Sequence, residues 1–508
     1  MSENIERTDL PEVSEKKPFL KRLPVMSLPA IIALILMAIV FLQALFTSFH
    51  RFQLLKPNFI GPYLGGKYYD NFINNGSFGK SLGDSLACNG LILLICGALS
   101  ALLCLLYRAF KKPGAVLTLA CLWLIPVCLP TALMSQGTRS LLHFMGPLSA
   151  YSVYLYAMGL QTIGMFCFTG GIFAYLNFRK KGEIGKAPFI GLLAAVLVFL
   201  LRSLTANGLY YGFETLLTRT FERASIPDLF SGLSGIDVFQ ANAVAVLKIA
   251  MQILIGLIPV FFLCRLSKER AIGEKTPKAL WCLFPAALAG ILLSLFAGCH
   301  GGESYAYFGT VSINSLIVTL AGGAFGGLVA WSFIHLMKRT SAVRFGIIAL
   351  VLSCALSCIG MIYILIRYRI TTNELLPQVL LSAFDWRVIL LVITLAFMLR
   401  SHKEIHTGYL VLALCLLIAA FSWGELSNQV VIFNKKTSTI PIFYYQLTSS
   451  VDTRPSILLQ IKLLMVVPPL ALGLGSALLM RKAFQKAEPR DGSSVPLSEP
   501  ETHSEIQA

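Results

Sequence analysis

Uncharged apolar runs recur along this chain at lengths that match a lipid bilayer. Leu28–Leu45, for example, contains no charged residue. A helix needs roughly 20 such residues to cross the hydrocarbon core. Every backbone N–H and C=O in lipid must find a partner within the protein, so runs of this kind are expected as helices. Twelve runs can be drawn, at about 27–49, 86–107, 115–135, 149–177, 188–206, 240–264, 279–299, 311–337, 345–366, 386–399, 408–423 and 456–480. The expected fold class is an all-α polytopic membrane protein, with 386–399 the shortest of the twelve runs.

Composition agrees. The chain is 56% hydrophobic and only 13% charged, where a soluble domain carries about a quarter charged residues. No secretory signal is expected, because a polar tail of 26 residues precedes the first run and that run is too long for a signal core. The net charge of +17 is distributed by side. With the N-terminus inside, the inside segments hold 26 Lys and Arg and the outside segments 14. That is the positive-inside pattern; it puts both ends in the cytoplasm of a cell (plasma) membrane and needs no nucleic-acid partner. The twelve cysteines lie almost entirely in the apolar runs and include no CxxC, so neither disulfides nor a metal site is expected.

Residues 1–26 and 484–508 read as disordered cytoplasmic tails. Between them a weak repeat is visible. Asp84-Ser85-Leu86 opens the second run and Asn314-Ser315-Leu316 the eighth; at the same offset Gly97 falls on Gly327 and Arg108 on Lys338. Two parallel six-helix halves are expected, 27–266 and 279–483, joined by a basic cytoplasmic linker at 267–278. Parallel repeats are a common transporter plan, with the pathway at the interface of the halves.

Several segments, in order, resemble the paired permease subunits of binding-protein-dependent ABC sugar importers, of the oligosaccharide/polysaccharide type. Lys67-Tyr68-Tyr69 through Ser85 is similar to the family's extracellular segment before the second helix. Gly159-Leu160-Gln161-Thr162-Ile163 resembles the stretch before the cytoplasmic coupling loop, and Pro188 falls at that loop's closing proline. Gly212-Phe213-Glu214 and Ala245-Val246-Leu247-Lys248 resemble later first-half motifs. Asn314 to Thr319 is similar to the family's Asn-Ser-Leu-Ile-Val-Thr, and Trp423 through Phe433 with Thr439-Ile440-Pro441 to its tryptophan-led segment. The resemblance covers most of 60–482. It implies a type I permease fold, here with two subunits fused, and an ATP-driven carbohydrate importer. Its implied partners are separate ATPase subunits, an extracellular solute-binding protein and the lipid bilayer.

One part departs from the family. Where the coupling loop carries Glu-Ala-Ala, this chain has Thr169-Gly170-Gly171, and in the second half only Arg400 to His406 joins two runs. The candidate ATPase-coupling turns are therefore Thr169, Gly170, Gly171, Arg179 and Lys180, with Arg400 and Lys403. The candidate solute pathway comprises Asn89, Gln161, Tyr210, Tyr211, Glu214, Lys248, Asn314, Trp423 and Glu425. Amides can hydrogen-bond sugar hydroxyls and aromatic rings can stack on sugar faces. For any single amide, a hydrogen bond between helices is the stronger expectation. Lys248 and Lys462 lie within apolar runs, where charges are rare and either snorkel or serve function. Asp385 is expected at a solvated outer helix end, and Gly322-Gly323, Gly326-Gly327 and Gly97 as small faces for close helix packing.

Other chemistry is not expected. Gly79-Lys80-Ser81 has Asn74 where a phosphate-binding loop needs glycine, so no cofactor is expected. His402 and His406 lack the Glu of HExxH and read as a solvated turn. No paired carboxylates or nucleophile constellation suggests an enzyme. Three readings stay open: a permease with degenerate coupling loops, a non-transporting membrane scaffold or regulator of an importer, and an ATP-independent secondary transporter.

Overall fold

The computed structural model describes residues 25–53, 60–74, 77–130, 149–206, 235–266, 278–296, 305–354, 375–401, 405–424, 437–449 and 455–485. The elements in order are α1 (Leu28–Thr47), β1 (His50–Phe52), β2 (Ile60–Tyr63), α2 (Lys67–Asn74), α3 (Ser77–Leu106), α4 (Pro113–Leu122), α5 (Leu124–Val127), α6 (Ser149–Lys181), α7 (Ala187–Ala206) and α8 (Gly235–Leu266). They continue as α9 (Leu283–Phe296), α10 (Tyr305–Arg339), α11 (Ala342–Ser353), α12 (Leu376–Ser382), α13 (Trp386–Ser401), α14 (Thr407–Trp423), α15 (Ile440–Ser449) and α16 (Pro455–Gln485). The protein is an all-α polytopic membrane protein. Seven helical segments are long and apolar enough to cross a bilayer: Val25–Thr47, Asn89–Ala109, Gly159–Lys181, Ala245–Leu266, Phe308–Arg339, Leu376–Arg400 and Leu459–Gln485. Five shorter apolar helices occupy the remaining predicted runs.

Burial sorts these helices into centre and rim. On α1, Ile32, Ile35, Leu36, Ile39, Leu42 and Phe46 are exposed at helical spacing, while Ala30, Ala33 and Ala44 are buried. An apolar stripe turned outward with small residues turned inward is what lipid contact requires. In α14, by contrast, Leu410, Val411, Ala413, Leu414, Leu417, Ile418 and Phe421 are all buried, and α13 is buried almost throughout from Val388 to Arg400. A helix apolar on every side belongs in a core.

Glycine sets the closest packing. A Cβ on Gly323 would lie 2.8 Å from the Ala419 Cβ, and one on Gly326 would lie 2.7 Å from Ile418 Cγ2. The predicted glycine face of α10 is thus the seam with α14. Gly97, expected to match Gly327, has no neighbour within 4 Å of a Cβ added there. That expectation is corrected: Gly97 opens onto space, because α3 turns this position away from its partners.

Several contacts tie α1–α8 to the later helices. The end of α8 packs on α11: a Cβ on Gly346 would sit 2.6 Å from Cys264 Sγ, and Gln252 Nε2 donates to Ser353 O at 2.7 Å. In the other direction α16 packs on α4 and α5: a Cβ on Gly473 would sit 2.7 Å from Cys128 Sγ. α1 also leaves its own half. Ala30 N–H, one of the donors that a helix start leaves without an intrahelical partner, donates to Ser332 Oγ on α10 at 2.9 Å.

A small cap follows α1. β1 and β2 pair antiparallel, and Tyr69 on α2 hydrogen-bonds Ser48 at 2.6 Å. Burial raises the Tyr69 phenol above its ordinary pKa, the Ser48 bond opposing this in part. The phenol is therefore neutral at pH 7.

Candidate functional site

The strongest polar concentration lies where α10, α12 and α14 meet an irregular segment before α15. Thr437, Ser438 and Thr439 are buried; Thr437 is in a 3-10 turn, and Ser438 and Thr439 are not helical. Non-helical backbone at membrane depth has to be satisfied by the protein around it. Here Gln378 Nε2 donates to Thr437 O at 2.9 Å, Asn314 Nδ2 donates to Ser438 O at 3.0 Å, and Ile440 N–H donates to Ser315 Oγ at 2.7 Å. The segment is a strap held by side chains of α10 and α12.

The polar groups continue away from the strap along α10. Thr319 stands one turn beyond Ser315 and is buried. Next, a Cβ on Gly322 would lie 2.9 Å from Ser382 Oγ and 3.0 Å from Ser422 Oγ, so only glycine leaves room for both hydroxyls. Ser382 Oγ donates to Val379 O at 2.6 Å and Ser422 Oγ to Ile418 O at 2.9 Å. Three buried atoms of this column, Thr319 Oγ1, Gln378 Oε1 and Ser438 Oγ, have no hydrogen-bond partner among the described residues. Hydroxyls and amides of this kind can hold a neutral, hydroxyl-rich molecule.

At the start of α13 stands an ion pair. Asp385 Oδ1 accepts from Arg387 N–H at 2.8 Å and from its Nε at 3.0 Å, and Asp385 Oδ2 pairs with Arg387 Nη2 at 2.6 Å. Asp385 thereby caps the helix as well as holding the cation. The guanidinium lies 4.4 Å from the Phe421 ring centre, which joins α13 to α14. Both side chains are buried, at 3% and 4% exposure. The expectation of a solvated Asp385 is corrected: packing against α14 encloses it, and the arginine two residues on replaces water.

The sequence-derived pathway residues divide. Asn314 is part of the strap's anchorage. Trp423 Nε1 donates to Leu464 O at 2.9 Å. Residue 468, four positions on in α16, is a proline within the helix. A proline has no N–H for the carbonyl four residues back, and the indole supplies the missing donor. Gln161 Nε2 donates to Leu129 O at 2.7 Å, and the adjoining Pro130 touches Gly424 beside Trp423. Gln161 and Trp423 thus flank the approach of Leu129–Pro130 to Gly424. Asn89 is buried on α3. Lys248 lies on α8, with its side chain outside the described set; Tyr210, Tyr211, Glu214 and Glu425 lie outside the described residues.

The coupling-turn residues also divide. Thr169, Gly170 and Gly171 were expected at a turn, but they lie within α6 and are buried. A Cβ on Gly191 of α7 would lie 2.8 Å from Thr169 O, and one on Gly171 would lie 2.5 Å from the Tyr107 hydroxyl oxygen. These glycines exist for helix crossing, and the turn itself comes at Gly182 to Lys186. Gly182 and Gly185 have φ of 74° and 53°, a left-handed region that suits glycine. Arg179 and Lys180 are exposed at the end of α6, where cations complement the helix dipole. Arg400 is buried instead. Its Nη1 donates to Met337 O at 2.9 Å and Thr340 O at 2.8 Å, closing the end of α10. Lys403 and His402 lie outside the described residues. His406 Nδ1 accepts from Tyr409 N–H and caps α14.

Sequence reasoning missed Ser382, Ser422 and Arg387 as parts of a polar column. The available signal was Asp-x-Arg at a helix start. Among the described residues no cluster of three metal-ligating side chains occurs. No family model matches this chain, and neither a curated protein nor a solved structure matches it.

Proposed function

We propose that this chain is a membrane permease whose twelve helices form two parallel halves around a solute pathway, with both ends in the cytoplasm. It is read as a fused relative of the ABC carbohydrate-importer permease pair. The observation that carries this is a pair of contacts between the two sets of helices. The last helix of the first half, α8, packs on α7 and also, through Cys264 and Gln252, on α11; the last helix of the second half, α16, packs on α14 and also, through Gly473, on α5. Two units that meet through such matching contacts can rock against each other, which is what alternating access requires.

The pathway is assigned to the junction of Gln161, Trp423 and the strap at 437–439. Its chemistry of amides, hydroxyls and aromatic rings favours a neutral carbohydrate. Solute would arrive from an extracellular binding protein, and separate ATPase subunits would engage the α6–α7 turn. The chain itself would break no bonds. Deleting the gene should abolish uptake of at least one oligosaccharide. Unchanged uptake across a broad oligosaccharide panel would contradict this.

A second reading, a non-transporting scaffold or regulator of an importer, is favoured by one observation. The second-half turn spends Arg400 on internal packing, so this cation is not offered to an ATPase. Purifying the protein from native membranes separates the two: stoichiometric ATPase subunits support the permease.

A further inference from the structure

Among the described residues, exposed cations cluster where the segment after α3 meets the α6–α7 turn. Arg108 follows α3, and its Nη2 donates to Gly185 O in the α6–α7 turn at 3.1 Å. Its guanidinium also lies 5.3 Å from the Phe189 ring centre on α7. These contacts join the 108–112 and 179–186 segments into one surface. That surface exposes Arg108, Lys111, Lys112, Arg179, Lys180, Lys181 and Lys186, with Glu183 as its one carboxylate. The turn is built rather than loose. Gly182 N–H donates to Phe178 O at 2.8 Å, Asn177 Nδ2 donates to Glu183 O at 3.0 Å, and Ile184 is buried in the core.

An apolar wall adjoins the cations. Leu102, Leu105 and Leu106 on α3, and Ile190 and Leu193 on α7, are between 45% and 63% exposed. All lie within about two helical turns of Arg108 or Lys186. The two helices pack together at this level. A cationic cap over an exposed apolar wall matches a molecule with an anionic head and hydrocarbon tails.

We infer that the Arg108–Lys112 and Arg179–Lys186 surface is a binding site for an anionic glycerophospholipid, its phosphate against the lysines and its acyl chains along Leu102, Leu105, Leu106, Ile190 and Leu193. A soluble acidic protein would use the cations and leave the wall idle, whereas the lipid uses both. Basic groups at a membrane edge attract anionic headgroups through Coulomb attraction that fades within a Debye length. The inference needs only the membrane-embedded fold and is independent of the transport reading.

The test uses the full-length chain in detergent, titrated with phosphatidylglycerol or phosphatidylcholine of identical acyl chains and read by native mass spectrometry. Phosphatidylglycerol should be retained at least about tenfold better. The triple variant Lys111→Gln, Lys112→Gln and Lys186→Gln should lose most of that preference, while the matching Lys→Arg triple keeps it and shows that the fold is intact. Leu105→Ala with Leu106→Ala should weaken both lipids. Equal retention of the two lipids, or an unchanged glutamine triple, overturns the site. So does full competition by soluble glycerol phosphate, since the headgroup alone would then suffice. Retention of polyglutamate with no lipid preference would replace the lipid with an acidic polypeptide.

Discussion

The turn between α6 and α7 and the turn between α13 and α14 occupy matching places in chain order, yet they use their cations in opposite ways. In the first, Arg179, Lys180, Lys181 and Lys186 point outward from a turn shaped by two left-handed glycines. In the second, Arg400 folds inward onto the carbonyls of Met337 and Thr340 and over the Phe345 ring, at 5.2 Å. Lys338, expected to match Arg108, is buried 5.5 Å from the Trp331 ring centre, whereas Arg108 is exposed. The same residue types serve as a surface in one half and as internal fastening in the other. Among the described cations of these two turns, only those at the α6–α7 turn face outward.

The largest effect should come from the buried ion pair that fastens α13 to α14. Arg387→Gln leaves Asp385 charged and enclosed, and should cost about 3–5 kcal/mol, read as a fall in the thermal transition of the detergent-solubilised protein. A change within about 1 kcal/mol would mean that water reaches Asp385. Arg400→Gln comes next. It removes charge-assisted hydrogen bonds to two carbonyls and should cost about 3 kcal/mol in the same assay.

Packing changes should follow. Gly191→Ala drives a methyl into Thr169 O and Gly170 Cα, 2.8 and 3.0 Å away, and should cost about 1–3 kcal/mol. Gly97→Ala meets nothing and should be neutral or stabilising by up to about 1 kcal/mol. If the two alanines behave alike, the assignment of Gly97 to open space is wrong. The smallest effect belongs to the outward cations: Arg179→Gln should stay within about 0.5 kcal/mol. A large loss there would erase the contrast between the two turns.

Much of this architecture could be read from the sequence. Charge-free apolar runs announced the helices, and the paired glycines at 322–327 announced a close-packed face on α10, though not that α14 would fill it. What escaped was the identity of each face. Gly97 and Gly327 are the same residue at the same repeat offset, but only the tertiary arrangement decides which one meets a neighbour. Thr169-Gly170-Gly171 read as a turn because they fall where the coupling loop of the resembled family lies; here they let two helices cross, and the true turn carries Gly182 and Gly185. Asp385 looked solvated because it stands just before a run, and nothing local reveals Phe421 lying over its arginine. The partner of Trp423 was legible in principle, since Pro468 leaves the carbonyl of Leu464 without its usual donor.

The central claim is that α8 packs on α11 and α16 on α5, and cysteine cross-linking tests it most directly. Gly473→Cys should pair with native Cys128 and, separately, Gly346→Cys with native Cys264, because in each case the added Cβ lies within 2.7 Å of the native sulfur. With a protease site inserted in the 267–278 segment, oxidation and then cleavage should leave the two fragments joined on a non-reducing gel in both variants, while the parent protein separates. Separation in both variants after oxidation would contradict this packing.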